Sequence, residues 1–229
     1  MSAGARTLIV SDLHLGARLG RDVLRRPVAL AALLDALDGV QRLVLLGDVV
    51  ELVEGDPRGA LAAAEPVLRA IGSRMGPERV IVVVPGNHDN ALVRPWLRAH
   101  PAATAVLDGL VPHDATPLLA SLTTFLAPAR VELRYPGVWL APRVWATHGH
   151  YLDRHLMPAT AYGVARGALG RQPRAHSTPA DYEFAGGPSL TRLEGRIMRA
   201  LPLPSASLFD RLIEFMRAST MPTAPRATP

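Results

Sequence analysis

The chain has 229 residues, 48% of them hydrophobic and 20% charged, which suits one sizeable globular domain and makes two full domains a tight fit. It has no cysteine, which excludes disulfides and thiolate metal sites and leaves His, Asp, Glu, Asn and backbone oxygen as metal donors. The net charge of +5 rests on arginine alone, with no basic run interleaved with aromatics, so a specific nucleic-acid partner is not expected.

Only Arg6 precedes the first apolar run, which is too short for a secretory leader, and no run approaches the roughly 18 residues of a membrane span. The expected location is the cytoplasm. Residues 7–10 read as a buried strand. Residues 22–37 carry Val23, Val28, Leu30, Leu33, Leu34 and Leu37 at helical spacing, with Pro27 marking where the helix properly starts. Residues 42–46 read as a strand, 60–71 as a helix, and 79–84, with a continuous Val/Ile run, as a third strand. Apolar runs separated by helices predict parallel strands covered on both faces.

After about residue 128 the pattern changes. Residues 130–134 alternate, Pro136-Gly137 marks a turn and residues 138–140 follow, which predicts a hairpin. Residues 143–147 add a strand, and together these suggest a second sheet packed on the first. Residues 156–188 are rich in Ala, Gly, Pro and Arg. Residues 189–201 and 205–218 predict amphipathic helices capped by Ser189 and by Ser205 or Ser207, and the tail from Ser219 reads as disordered. The expected division is a core at 1–155, a helical cap or insertion at 156–218 and a tail at 219–229.

Four polar clusters each follow an apolar strand: Ser11-Asp12-Leu13-His14, Gly47-Asp48-Val49-Val50-Glu51, Gly86-Asn87-His88-Asp89 and Thr147-His148-Gly149-His150. In an α/β sheet, ligands gather at the carboxyl ends of the strands. Asp12 and His14 are two apart, so in extended chain they are expected to share a face and meet one cation. Asp48 offers a carboxylate that can bridge two metals, Asn87 a neutral amide oxygen, and His148 a further imidazole. Gly47, Gly86 and Gly149 are expected to let the backbone turn beside the metals without a Cβ clash. Each cluster alone has an ordinary explanation, such as a helix cap, a turn or a solvated Glu51. Their succession at strand ends is what points to metal chemistry.

The series resembles the calcineurin-like metallophosphoesterase family, whose members carry Asp-x-His, Gly-Asp-x-x, Gly-Asn-His-Asp/Glu, a later His and a final Gly-His-x-His. The match runs from Asp12 to about His155, roughly two-thirds of the chain. The resemblance implies an α/β fold, a double β-sandwich flanked by helices in α-β-β-α layers. It implies hydrolysis of a phosphate ester or pyrophosphate in a phosphorylated small molecule or nucleotide, with two divalent metal ions: Mn first, with Fe, Zn or Mg as alternatives. By the same resemblance Asp12 and His14 would bind the first metal, Asp48 would bridge, and Asn87 and His148 would bind the second. His88 would act on the phosphoryl group and leaving oxygen, and Asp89 would hydrogen-bond His88 and fix its tautomer. His150 and His155 are expected to line the substrate cleft.

Ser-Asp-Leu-His-Leu and Gly-Asp-x-x-Glu resemble most the branch containing UDP-2,3-diacylglucosamine pyrophosphatase, which usually has Arg where this chain has His88. The final Gly-His-x-His has no counterpart, since the one histidine after His155 is His176. The expectation is therefore a shortened or truncated enzyme with incomplete metal shells. The rivals are replacement by His150 or His155, and a metal-poor, inactive binding protein of the same fold. Membrane-surface contact through residues 208–216 is a further alternative, less favoured than a capping role for that helix.

Overall fold

The structure is a computed structural model that describes residues 6–151, apart from 102, 104 and 105, together with residue 200. The expected helices after residue 188 fall outside the described residues, residue 200 excepted. So do the tail, His155 and His176.

The main sheet has the order β1-β2-β3-β5-β4. Strands β1 (Arg6–Val10), β2 (Val40–Leu46), β3 (Val80–Val84) and β5 (Arg130–Tyr135) run parallel, and β4 (Gly109–Val111) pairs antiparallel with β5. Side chains alternate across each strand, which divides the apolar residues between two faces. Leu43, Leu45, Ile81, Val83 and Leu133 face the helices and are fully buried or nearly so. Val44, Val82 and Val84 face the other way and meet Val138 of a second sheet. That sheet is a hairpin of β6 (Gly137–Ala141) and β7 (Val144–Thr147). Each fully buried aliphatic side chain contributes about 1.5–3 kcal/mol of transfer free energy.

Four helices are described: α1 (Pro27–Ala36), α2 (Pro57–Met75), α3 (Arg94–Ala99) and α4 (Pro117–Phe125). Each has proline in its first two positions, where a missing N–H costs nothing. Helix α1 begins at Pro27, with residues 23–25 in a separate 3-10 turn. Helix α2 runs longer than its apolar stripe, because Asp56 caps it by accepting from the Gly59 amide at 3.0 Å and Gly76 ends it at φ +67°. No helix among the described residues is long and apolar enough to cross a membrane.

The mixed α/β architecture is the expected one, with helices on one face of a largely parallel sheet and a second sheet on the other. The expected outer helical layer on the second sheet falls outside the described residues. The predicted hairpin across Pro136-Gly137 is not present. β5 joins the main sheet parallel to β3, and the chain crosses at Pro136 into β6, whose partner is β7. The alternation of β5 reflects a near-edge position: Leu133 is buried on the helical side while Glu132 and Arg134 form an ion pair on the other.

Candidate active site

Three parallel strands and β7 deliver the polar clusters to one place. Their carboxyl ends run into Ser11-Asp12, Gly47-Asp48, Gly86-Asn87 and His148. A pocket of about 510 Å³ is lined by Ser11, Asp12, His14, Asp48, Asn87, His88, Thr147, His148 and His150, among others. That volume suits a small ligand.

Asp12, His14 and Asp48 are the three non-glycine positive-φ residues among the described residues, at 57°, 43° and 53°. Left-handed backbone at such residues costs roughly 1–3 kcal/mol and collects at functional sites. It is held here by hydrogen bonds between the two loops. The Asp12 N–H donates to Gly47 O at 3.1 Å, that of His14 to Asp48 O at 2.8 Å, and that of Glu51 to Leu15 O at 2.9 Å.

Residues 12–14 depart from the extended chain expected there, since Asp12 and His14 both have positive φ. Ligand atoms of Asp12, Asp48 and His148 lie within 4.8 Å of one another, and so do those of His14, Asp48 and His88. Asp12 and His14 thus fall in separate groups joined by Asp48. Close packing also requires glycine at two of the three positions named above. A Cβ on Gly47, which has φ +84°, would overlap the His148 ring, and one on Gly86 would overlap Asp48 Oδ1. A Cβ on Gly149 meets open space, so that glycine is not needed for clearance.

Asp48 is buried and its pKa is lowered. Burial alone would raise it, but the hydrogen bond and charge of His148 outweigh that. Its Oδ2 lies 3.3 Å from His148 Nε2 and 3.8 Å from His14 Nε2. His148 shows the converse. Burial would lower its pKa, but Asp48 pushes it up to about 9. Its Nδ1 donates to Leu46 O at 3.1 Å, which leaves Nε2 turned to Asp48 and to Asn87 Oδ1 at 3.1 Å.

Asp89 is not where the expectation put it. Its carboxylate accepts from the Gly86 and Val49 amides, both at 2.7 Å, and does not meet the His88 ring. Its pKa is pushed up to about 6, first by burial and then by the Asp48 charge. It braces the loop after β3 against the loop after β2. The carboxylate that meets His88 Nδ1, at 2.7 Å, belongs to Glu51. Glu51 is 1% exposed, and the sequence reading gave it no role. Its signal was present in Gly-Asp-x-x-Glu, but nothing local shows that the residue turns inward. His150 lines the pocket, with its ring centroid 5.2 Å from that of His148.

The donor set fits divalent cations. It offers carboxylate, amide oxygen and imidazole, with no sulfur, and two groups that share one ionised carboxylate. Over residues 5–164 the chain matches the family described as calcineurin-like phosphoesterase, and it belongs to that family. A comparison with curated proteins found no match. Members of this family are in general metal-dependent hydrolases of phosphoesters, and the chain presents candidate metal ligands in keeping with that chemistry.

Proposed function

We propose that the chain hydrolyses a phosphate ester or pyrophosphate at the carboxyl ends of β1, β2, β3 and β7, with two divalent cations that share Asp48. The observation that carries this reading is the pair of ligand groups, each within 4.8 Å, with Asp48 common to both. Asp12, Asn87 and His148 would hold one cation and His14 the other, with Mn favoured for an oxygen and nitrogen donor set. When bound, such cations neutralise phosphoryl charge and activate the attacking water.

The residues then have separate tasks. The backbone hydrogen bonds that hold Asp12, His14 and Asp48 at positive φ fix these ligands in advance, so no ordering is needed when substrate arrives. His88 lies in the pocket wall and would give a proton to the leaving oxygen. His150, in the wall beside His148, would contact substrate, and His155 is assigned a similar role from the sequence. The substrate is a phosphorylated small molecule or nucleotide, in keeping with the pocket volume.

A screen of phosphomonoesters, phosphodiesters and nucleotide pyrophosphates, run with chelated protein and then with Mn, Zn, Fe(II) or Mg restored, tests this reading. Metal-dependent turnover of one class is the expected outcome. Absence of turnover with every metal and class would overturn it in favour of a binding role.

A further inference from the structure

We propose that residues 205–218 of this chain dock as an amphipathic helix on the outer face of the β6–β7 hairpin. The proposal goes beyond the reading of the pocket and is tested independently of it. In the hairpin register Val138 is opposite Ala146, and Trp139 is opposite Trp145. Val138 and Ala146 pack against the main sheet, so Trp139 and Trp145 point away from it. The Trp145 ring lies across Gly137, where a Cβ would overlap it, and its Nε1 donates to Leu107 O at 2.7 Å. That bond joins the hairpin to β4 and the segment before it, where Val106, Leu107 and Leu110 are 50%, 52% and 59% exposed. Val111 is buried on the helical side, which turns Leu110 to the side of the hairpin. Trp139 is itself 41% exposed. With half-buried Trp145 these side chains form one apolar strip that nothing among the described residues covers. A contiguous strip of this kind marks an interface.

The sequence after Tyr151 supplies the cover. Residues 205–218 carry Leu208, Phe209, Leu212, Ile213, Phe215 and Met216. On a helix of 3.6 residues per turn these fill one arc of about 160°, and Asp210, Arg211, Glu214 and Arg217 fall outside it. A helix with such a stripe must bury it against another element. Stripe and strip match in kind, with aromatic and aliphatic side chains on both. Charge separates this segment from the other predicted helix, residues 189–201. The strip is flanked by Arg42, whose Nη1 donates to Trp139 O at 3.1 Å, and by exposed Arg143 in the turn between β6 and β7. Residues 189–201 set Arg192, Arg196 and Arg199 against Glu194 and would bring like charge to these arginines. Residues 205–218 balance Arg211 and Arg217 with Asp210 and Glu214. Residues 152–204 give ample length to reach the strip from Tyr151. Docked there, the apolar stripe is spent on the fold and is not offered to a membrane surface. The helix would back the strand that leads into Thr147 and His148 of the pocket wall.

Tryptophan emission of the full-length chain tests this. The chain has three tryptophans, two of them in the strip. The third, Trp96, stacks on His100 with ring centroids 4.5 Å apart, so Trp96→Phe leaves the emission of the strip alone. In that background the pair should emit as covered indoles, and Leu212→Asp should shift the emission to the red. The emission should not depend on protein concentration, and the protein should not float with phosphatidylglycerol vesicles. Unchanged emission in folded Leu212→Asp would overturn the proposal. Emission that moves with protein concentration would give the strip to a second copy, and flotation that Leu212→Asp abolishes would give the stripe to a membrane. Either result also overturns it. Should Leu212→Asp fail to fold, the absence of cysteine allows spin labels at Ala141→Cys, where β6 ends, and at Arg217→Cys, off the apolar arc. One narrow distance between the labels is expected, and a broad distribution would overturn the proposal.

Discussion

Asp48 is tied to His88 through the backbone: its Oδ1 accepts the His88 N–H at 2.8 Å, across from the loop of the next strand. That bond turns Oδ2 toward His14 and His148 and makes the loops after β2 and β3 one rigid unit. Asp48→Asn keeps an acceptor for the His88 amide but removes the charge between the two ligand groups. At least one bound metal should be lost, and kcat should fall by about 100-fold or more, since even outer-sphere losses typically cost about 10–100-fold. Metal analysis with steady-state kinetics checks this. Two retained metals with normal turnover would remove Asp48 from its role.

His88→Ala separates ligation from proton transfer. Metal content should change little, while kcat falls by about 10²–10⁴ for alkoxide leaving groups and much less for nitrophenolate, which needs no proton. Equal losses for both would count against a proton donor. Loss of a metal would make His88 a ligand, as its place beside His14 and Asp48 also permits.

Asp89→Asn tests the brace. An amide oxygen cannot replace two carboxylate oxygens that each accept a backbone N–H, so one buried amide is left unmet at a cost of about 1–3 kcal/mol. Thermal melting should show this loss. The dependence of kcat on leaving group should stay as in the wild type, because Asp89 does not touch the His88 ring. A changed leaving-group dependence with unchanged stability would reverse that assignment.

The contrast between Asp48 and Asp89 shows what the sequence could tell. Strand ends announce themselves through apolar runs, so the convergence of Asp12, Asp48, Asn87 and His148 was legible from β1, β2, β3 and β7. What a side chain meets around a left-handed turn was not legible. The positive φ at Asp12 and His14 depends on hydrogen bonds to residues 47–49, more than thirty positions away. The same holds for Glu51, whose inward turn is fixed by Leu15, and for Asp89, whose partner is Val49 rather than its neighbour His88. Residues 90–128, which hold α3, β4 and α4, were given no element from the sequence. These are short pieces whose burial is decided by the sheet and by α2.

pH offers an independent handle through His148. Its pKa, about 9 in the metal-free protein, lies above the ordinary value of 6.5. A raised pKa means that the charged ring stabilises the fold fully below about pH 6.5, and that this contribution is lost as pH rises through about 9. A cation at Nε2 must displace that proton. Metal affinity should therefore rise with pH across the same window, by up to about tenfold per unit for one proton released. Calorimetry in buffers of different ionisation enthalpy should show about one proton leaving near neutral pH. No proton release would show that His148 is already neutral or does not ligate.

The shared carboxylate is the centre of the account, and electron paramagnetic resonance of the protein loaded with Mn(II) tests it most directly. Two ions joined through Asp48 should give an exchange-coupled spectrum that saturates at two equivalents and collapses to isolated Mn(II) in Asp48→Asn. Only isolated Mn(II) signals in the wild type at every loading would contradict the account.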